Sequence, residues 1–589
     1  MRQALIGAAL FGAAYGLVEA GVVVFGGRLW LTSPLLLLVG AAVLGGVLTA
    51  PLGFRARDRM GGWTRASLVV LAFEWFLHGA TDPAPFTEPH WSTTLPVQLG
   101  GWFCLGLLLA LFHKLPRARW ATLAALLVPL SGVDTGPSGA GGEGPSILLV
   151  TLDTTRADRI GCYGHAEART PVIDGLAAEG TRFDAAFANI AVTGPSHATI
   201  LGGRGTWSHE TLLNGVPLPE DEQLLAEVLS EQGYDTAAFV SAYVLEGDKG
   251  FARGFGTYDD DFAGWHGSSD LLPLRLLAAA RRRFAPDTVL ERRGDRTVDL
   301  AVDWLDQRED PYLLWVHLFD PHGPYEPPEG WLVYEGDPRS SEHSSMDLVD
   351  RDEVAPYLRE SLSGITELGY VLAAYDGEIA FADHQLGRLL EAVGEDTIVA
   401  VVGDHGESFG ENGVWFDHGD DVYDHNLRVP LVIRAEGLET GVREDLVELN
   451  DLGPTLLDLA GVSSPEGLDG HSLVTEGRSL ARSLCYDREA NLAARADDPT
   501  QRPTFRMAGL RSDSSLFVRR EAPGFDDALY LAPEGPGFTA VGAFDFSADV
   551  DTAPLVELIR PLLEGDAGRS AVELSEAERM RLEALGYLE

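Results

Sequence analysis

Ser146-Ile147-Leu148-Leu149-Val150-Thr151-Leu152-Asp153-Thr154-Thr155-Arg156 is the stretch on which the fold turns. From Ile147 to Leu152 the run is almost wholly apolar, the pattern of a strand buried on both faces of a parallel sheet. It stops at Asp153, and in open α/β sheets functional groups gather at the carboxyl ends of strands. Asp153 therefore reads either as a metal ligand or as an acid capping the start of a helix. The same construction recurs along the chain. Residues 236–240, 313–319 and 397–402 are further buried strands, and 427–433 opens another. Helical patterns at 171–180, 224–232 and 370–393 fall between them. This alternation predicts βαβ units and an α/β fold with a mostly parallel central sheet. From about 434 the pattern loosens into a smaller C-terminal part with short strands and a final charged helix at 574–585.

The strand ends carry the chemistry. The strand at 313–319 runs into Asp320-Pro321-His322-Gly323-Pro324-Tyr325. His322, in a rigid turn beyond the strand, is placed for solvent and substrate, whereas His317, inside the strand, reads as a satisfied core residue. The strand at 397–402 ends in Gly403-Asp404-His405-Gly406-Glu407, where adjacent Asp and His offer two ligands to one ion and the glycines allow a sharp turn. His418-Gly419 follows. Thr193-Gly194-Pro195-Ser196-His197-Ala198-Thr199 sets a hydroxyl ahead of an apolar run fit to open a helix, where free backbone N–H groups and the dipole favour an anionic ester. The same residues would also make an ordinary turn. Gathered at one sheet edge, Asp153, Thr193, Asp404 and His405 would hold a single divalent ion, with Ca, Mn, Mg and Zn all open, and would lower the hydroxyl pKa. His322 and His418 would then bind ester oxygens or protonate the leaving group. Asn214 would donate to a non-bridging oxygen.

Composition divides the 589 residues. Five apolar runs, at 5–27, 31–54, 66–81, 95–112 and 120–133, predict a multi-pass membrane region over 1–133, with Glu19 and Glu74 inside it. Arg55, Arg57 and Arg59, then Lys114, Arg117 and Arg119, mark cytoplasmic loops, which would put everything after about 135 on the extracytoplasmic side of a cell inner membrane. A Gly/Pro/Ser-rich linker at 134–145 leads to a catalytic core expected over 146–450 and a C-terminal part over 451–589. Net charge is −45, with only Lys114 and Lys249 as lysines, so nucleic acid is excluded as a partner. Cys104, Cys162 and Cys485 form no ligand motif, which argues against a thiolate metal site.

Five motifs occur in order: Ile147–Asp158, Thr193-x-Pro195-Ser196-His197-Ala198, Asp320-Pro-His322-x-Pro-Tyr325, Gly403-Asp-His405-Gly-Glu407, and His418-Gly419 with Leu427-Arg-Val-Pro-Leu431. Together they resemble the sulfatase family of the alkaline phosphatase superfamily, over roughly 145–589. The resemblance implies an alkaline-phosphatase-like sandwich with a smaller C-terminal subdomain, a metal set of Asp153, Thr193, Asp404 and His405, and sulfated or phosphorylated small molecules, glycans or lipids as partners, beside the lipid bilayer itself. One departure stands out. Formylglycine-type sulfatases carry Cys or Ser as nucleophile with Arg four residues on; here those positions are Thr193 and His197, the latter expected at the substrate. Thr cannot become formylglycine, so none is expected. A Thr nucleophile behind several membrane spans also resembles the superfamily's phosphoethanolamine and phosphoglycerol transferases. The reading is a membrane-anchored, metal-dependent hydrolase of sulfate or phosphate esters, with a headgroup transferase and an inactive membrane-bound binding module as alternatives.

Overall fold

A computed structural model describes residue 142 and residues 144–563, except 263–289, 309–310, 340–344, 350–353, 420, 476, 488–504, 514, 522–526 and 532–552. The five apolar runs and the helix expected at 574–585 lie outside the described residues. Among the described residues no helix is long and apolar enough to cross a membrane. All of them fall in one compact unit, Gly132–His266 with Thr288–Glu589.

The centre is an eight-stranded sheet. Its strands are β1 (Ile147–Leu152), β2 (Thr181–Phe187), β3 (Asp235–Phe239), β4 (Thr257–Asp259), β5 (Tyr312–Leu318), β6 (Ile398–Gly403), β9 (Leu431–Arg434) and β10 (Gly441–Glu448); the short β7 (Ser408–Phe409) and β8 (Trp415–Asp417) pair apart from it. The spatial order is β10-β2-β9-β6-β1-β5-β3-β4. Only β9 runs antiparallel to its neighbours β2 and β6. The run at 147–152 is the middle of this sheet, parallel to β5 on one side and β6 on the other, and every residue of it is buried. Its two faces belong to two separate cores. Ile147 and Leu149 join the core that includes α2 (Thr193–Gly202), α3 (Leu225–Glu231) and α6 (Leu452–Leu459), while Leu148, Val150 and Leu152 join that of α1 (Pro171–Glu179), α4 (Gly294–Leu305) and α5 (Leu368–Ala392). Burial on both faces is why β1 needed no polar alternation.

Strands β1, β3, β5 and β6 and helices α1, α3 and α5 lie within two residues of their expected bounds, β2, β4, β10 and α4 had none, and one expected strand differs. The strand expected from 427 begins at Leu431, because Asp424–Leu427 make a helical turn and Pro430 follows it. A second, antiparallel sheet, β11 (Ala481–Tyr486), β12 (Arg506–Arg511), β13 (Ser515–Arg520) and β14 (Ala528–Leu531), packs with α7 (Ala553–Leu563). It is pinned to the main sheet by Glu448, fully buried at the end of β10. Its Oε1 accepts from the Arg482 backbone N–H at 2.8 Å and Nε at 2.9 Å. Burying a carboxylate is costly unless it is paired and hydrogen-bonded, as this one is.

Beyond the end of β5, Asp320 lies near Glu378 of α5 and Glu291, three acids that share one electrostatic neighbourhood. Burial pushes Glu378 up to about 9, Glu291 up to about 7 and Asp320 up to about 6, and repulsion from Asp320 adds to the first two. Each group keeps its proton to a higher pH in the fold than in the unfolded chain, where a glutamate gives it up near about 4.3 and an aspartate near about 3.9. Stability from this cluster is therefore fully present below those values and is lost as pH rises toward 9. Glu378→Gln is expected to raise the unfolding midpoint at about pH 8 by about 2–4 °C, the shift of ~1 kcal/mol in a large domain. It should also flatten the dependence of the midpoint on pH between about 6 and 9. Calorimetric scans showing an unchanged midpoint and slope would contradict the assignment.

Candidate active site and metal centre

The parallel register brings the first two site residues together. Leu152 pairs with Leu318 of β5 and with Gly403 of β6, so the next residues, Asp153 and Asp404, leave adjacent strands at the same level. Backbone bonds carry the alignment one step past the sheet: Asp153 N–H donates to Leu318 O at 3.0 Å and Asp404 N–H to Leu152 O at 3.2 Å. Helix α2 lies on this face with Thr193 as its first residue. Ser196 Oγ donates to Asp404 O at 2.7 Å and ties the helix start to the end of β6. At Gly194 a Cβ would come within 2.9 Å of Asn214 Oδ1, the atom that accepts the Gly194 N–H. Gly406 is required for the turn after His405, where a Cβ would sit 2.0 Å from His425 O.

Four electron-pair donors converge from these elements. Thr193 Oγ1 is 3.5 Å from Asp153 Oδ1 and 3.2 Å from His405 Nε2. His405 Nε2 is 3.9 Å from Asp153 Oδ1 and 3.5 Å from Asp404 Oδ2. Asp153, Asp404 and His405 each offer a ligand atom within 4.8 Å of the others, and all three are buried. Their outer atoms are already committed. His405 Nδ1–H donates to Gly406 O at 2.9 Å, which turns the Nε2 lone pair inward. Asp404 Oδ1 accepts from the N–H groups of His405 at 2.7 Å and Thr154 at 3.0 Å, the latter from a backbone held at φ +46°. Asp404 Oδ2 is buried without a hydrogen-bond partner. Burial raises the carboxyls of both Asp153 and Asp404, the second further through repulsion by Asp153, and burial lowers His405. An orphaned carboxylate oxygen facing a second acid, a lone-pair nitrogen and a hydroxyl fits a divalent cation.

Two further histidines close over the cluster. The His418 ring lies 4.5 Å from that of His405 and the His322 ring 5.2 Å from that of His418. His322 stacks on Phe319 at 4.3 Å and donates Nδ1–H to Gly323 O at 2.7 Å. Their environments differ. Burial lowers His322 to about 4 against the pull of Asp153. Burial would lower His418 too, but the carboxylate of Glu407, 3.4 Å from Nδ1, outweighs it and carries His418 up to about 9. Asn214 Oδ1 accepts the Gly194 N–H at 2.7 Å, and its buried Nδ2 has no partner. His197 departs from expectation. Its Nδ1–H donates to Thr193 O at 2.8 Å and its Nε2 accepts from Thr151 Oγ1 at 2.9 Å. Both ring nitrogens are spent inside the protein, so the substrate contact expected of His197 is not what its hydrogen bonds show: it braces the first turn of α2.

Glu407 escaped assignment from sequence although it closes the Gly403–Glu407 motif. It is fully buried, accepts from Tyr325 Oη at 3.0 Å and faces His418. The signal was a carboxylate two residues beyond a ligand histidine, with nothing in the linear pattern to say that His418 would lie against it.

The segment that carries this site matches known proteins. The family model described as Sulfatase matches residues 145–462. The chain is 28% identical over 376 residues to an arylsulfatase of Clostridium perfringens, covering 56% of this chain and 77% of the relative. It is 25% identical over 522 residues to an N-acetylglucosamine-6-O-sulfatase of Bacteroides thetaiotaomicron, covering 74% and 87%. Its fold is similar to that of a phosphonate monoester hydrolase from Silicibacter pomeroyi, with a TM-score of 0.50 at 22% identity over 66% of this chain and 89% of that one. The matched segment takes in more than half of the sequence and all of Asp153, Thr193, Asn214, His322, Asp404, His405 and His418, and on that ground the chain belongs to the sulfatase family of hydrolases.

Proposed function

We propose that Thr193 is the nucleophile of a membrane-anchored, metal-dependent hydrolase that cleaves a sulfate or phosphate ester on the extracytoplasmic side of the membrane. The observation that carries this reading is the placement of Thr193 Oγ1 at the start of α2, between Asp153 Oδ1 and His405 Nε2, the latter 3.5 Å from the partnerless Asp404 Oδ2. Asp153, Asp404, His405 and Thr193 would hold one divalent ion, which when bound would lower the hydroxyl pKa and offset charge on the transferring group. The chain's own residues supply the rest. The start of α2 presents Thr193 Oγ to sulfur or phosphorus at the positive end of the helix dipole. Asn214 Nδ2, fixed by the bond its Oδ1 makes to Gly194, donates to a non-bridging oxygen of the ester. His418, held by Glu407, gives its proton to the departing alkoxide as the ester bond breaks, and then takes one from the water that cleaves the Thr193 ester. His322, whose ring meets that of His418 edge-on at 5.2 Å, orients the substrate beside it.

The hydroxyl decides which element is favoured. A Thr ester is released only by a second attack at the central atom, since no aldehyde hydrate is available to expel the group. Phosphorus therefore competes with sulfur, and the relatives supply sulfated amino sugars as one test class. The apolar N-terminal runs support anchoring in a membrane, and with the Thr nucleophile they favour a second reading, transfer of a phospho-headgroup from lipid to an envelope acceptor.

Turnover should be measured on an aryl sulfate, a phosphate monoester, a phosphodiester and a 6-O-sulfated amino sugar, each with Mn²⁺, Ca²⁺, Mg²⁺ or Zn²⁺. Activity only with a lipid donor plus acceptor would replace hydrolysis by transfer. Thr193→Ala should abolish turnover together with the covalent adduct seen by mass spectrometry after acid quench; wild-type rates in that variant would remove the nucleophile assignment. Asp404→Asn is expected to lower kcat/KM by about 100-fold or more while the metal-free protein melts no lower than wild type. His418→Asn should cost about 10²–10⁴ on alkyl esters and far less on p-nitrophenyl esters, whose leaving group needs no proton. An equal loss on both would place His418 outside proton transfer.

A further inference from the structure

His317 sits within β5, level with Thr151 of β1, and is completely buried. The residues around it fix its tautomer. The backbone N–H of Ser241, just past the end of β3, donates to Nδ1 at 3.3 Å, so the ring proton is on Nε2. That Nε2–H donates to Asp153 Oδ2 at 3.1 Å. The other oxygen, Oδ1, is the one turned to Thr193 and His405. Ser241 is itself held from behind. Its Oγ donates to His317 O at 2.7 Å and accepts from Thr297 Oγ1 at 2.7 Å, and Thr297 in turn accepts from Arg292 Nε at 3.0 Å. Arg292 is anchored by donating Nη2 to Val240 O at 2.8 Å. The ring also meets His197 edge-on at 5.0 Å, which fixes its tilt.

We propose that His317 is a positioning residue: by binding Oδ2 of Asp153 it determines which carboxylate oxygen is turned to the nucleophile, and it carries the rigidity of β3 and α4 into the metal centre. The two acids are then treated alike. Asp404 has one oxygen tied by two backbone N–H groups, Asp153 has one tied by His317, and each presents its other oxygen inward. The backbone supplies the tie for Asp404; for Asp153 a side chain does. Without that donor, Asp153 could rotate about χ2 and the geometry at Oδ1 would be lost. Partners of this kind typically alter metal affinity by about 10- to 100-fold.

The inference rests on the metal reading of Asp153, Asp404 and His405, and the test separates the two. The full-length chain in detergent is titrated with Mn²⁺ alone, by calorimetry and by the loss of the free-ion EPR signal. His317→Gln keeps an N–H donor at the end of a flexible chain, and His317→Met has similar length without the donor. The Gln variant is expected to bind Mn²⁺ within about threefold of wild type and the Met variant about 10- to 100-fold more weakly, with similar melting of the two metal-free proteins. If the Met variant does not fold, His317→Asn, whose shorter amide stops short of Oδ2, takes its place with the same expectation. Mn²⁺ binding by the donor-free variant equal to wild type, or equal loss in Gln and Met, overturns the positioning role. Failure of the wild-type chain to bind Mn²⁺ overturns the metal reading itself.

Discussion

Two fully buried carboxylates at the ends of adjacent strands set the terms for the rest of this structure. Parallel pairing of β1 with β6 leaves Asp153 and Asp404 nowhere to go but side by side. Burial makes each charge expensive and proximity adds repulsion. The fold answers by committing one oxygen of each acid to fixed N–H donors and directing the other at His405 Nε2 and Thr193 Oγ1. The glycines at 194 and 406, the tie from Ser196 and the bracing by His197 all serve to bring a helix start and a strand end close enough for this to happen. What remains is negative charge in want of a cation, placed beside a hydroxyl.

That arrangement also explains why the histidines divide their work. His405 and His197 are locked by bonds to backbone carbonyls and contribute fixed geometry. His418 is set against the carboxylate of Glu407, which raises it against the effect of burial, whereas burial lowers His405 and His197. One residue type meets three different surroundings here, and the partner of each ring nitrogen distinguishes them.

Much of this was legible in the linear pattern, because it depends on local signals. A doubly buried strand announces itself as an uninterrupted apolar run, and the residue that ends the run is displayed at the sheet edge; Asp153, Asp404 and His405 were found that way. Thr193 was visible as a hydroxyl opening a helix. The roles that escaped depend on register between distant strands. His317 looked like a satisfied core residue, and it is satisfied, but its partner is Asp153, 164 residues away in sequence. Glu407 stood in plain view without its partner. His197 was expected at the substrate because of the position it occupies, whereas the hydroxyl of Thr151 on the neighbouring strand claims its ring.

Thr154 draws these threads together. It is a β-branched residue held in left-handed backbone, which costs of order 1–3 kcal/mol, and it spends that cost aiming one N–H at Asp404. Glycine would adopt the same φ freely. The bond to Asp404 comes from the backbone, so the threonine side chain adds strain without adding to the tie. Exchange to glycine would release that strain and leave the N–H aimed at Asp404 where it is.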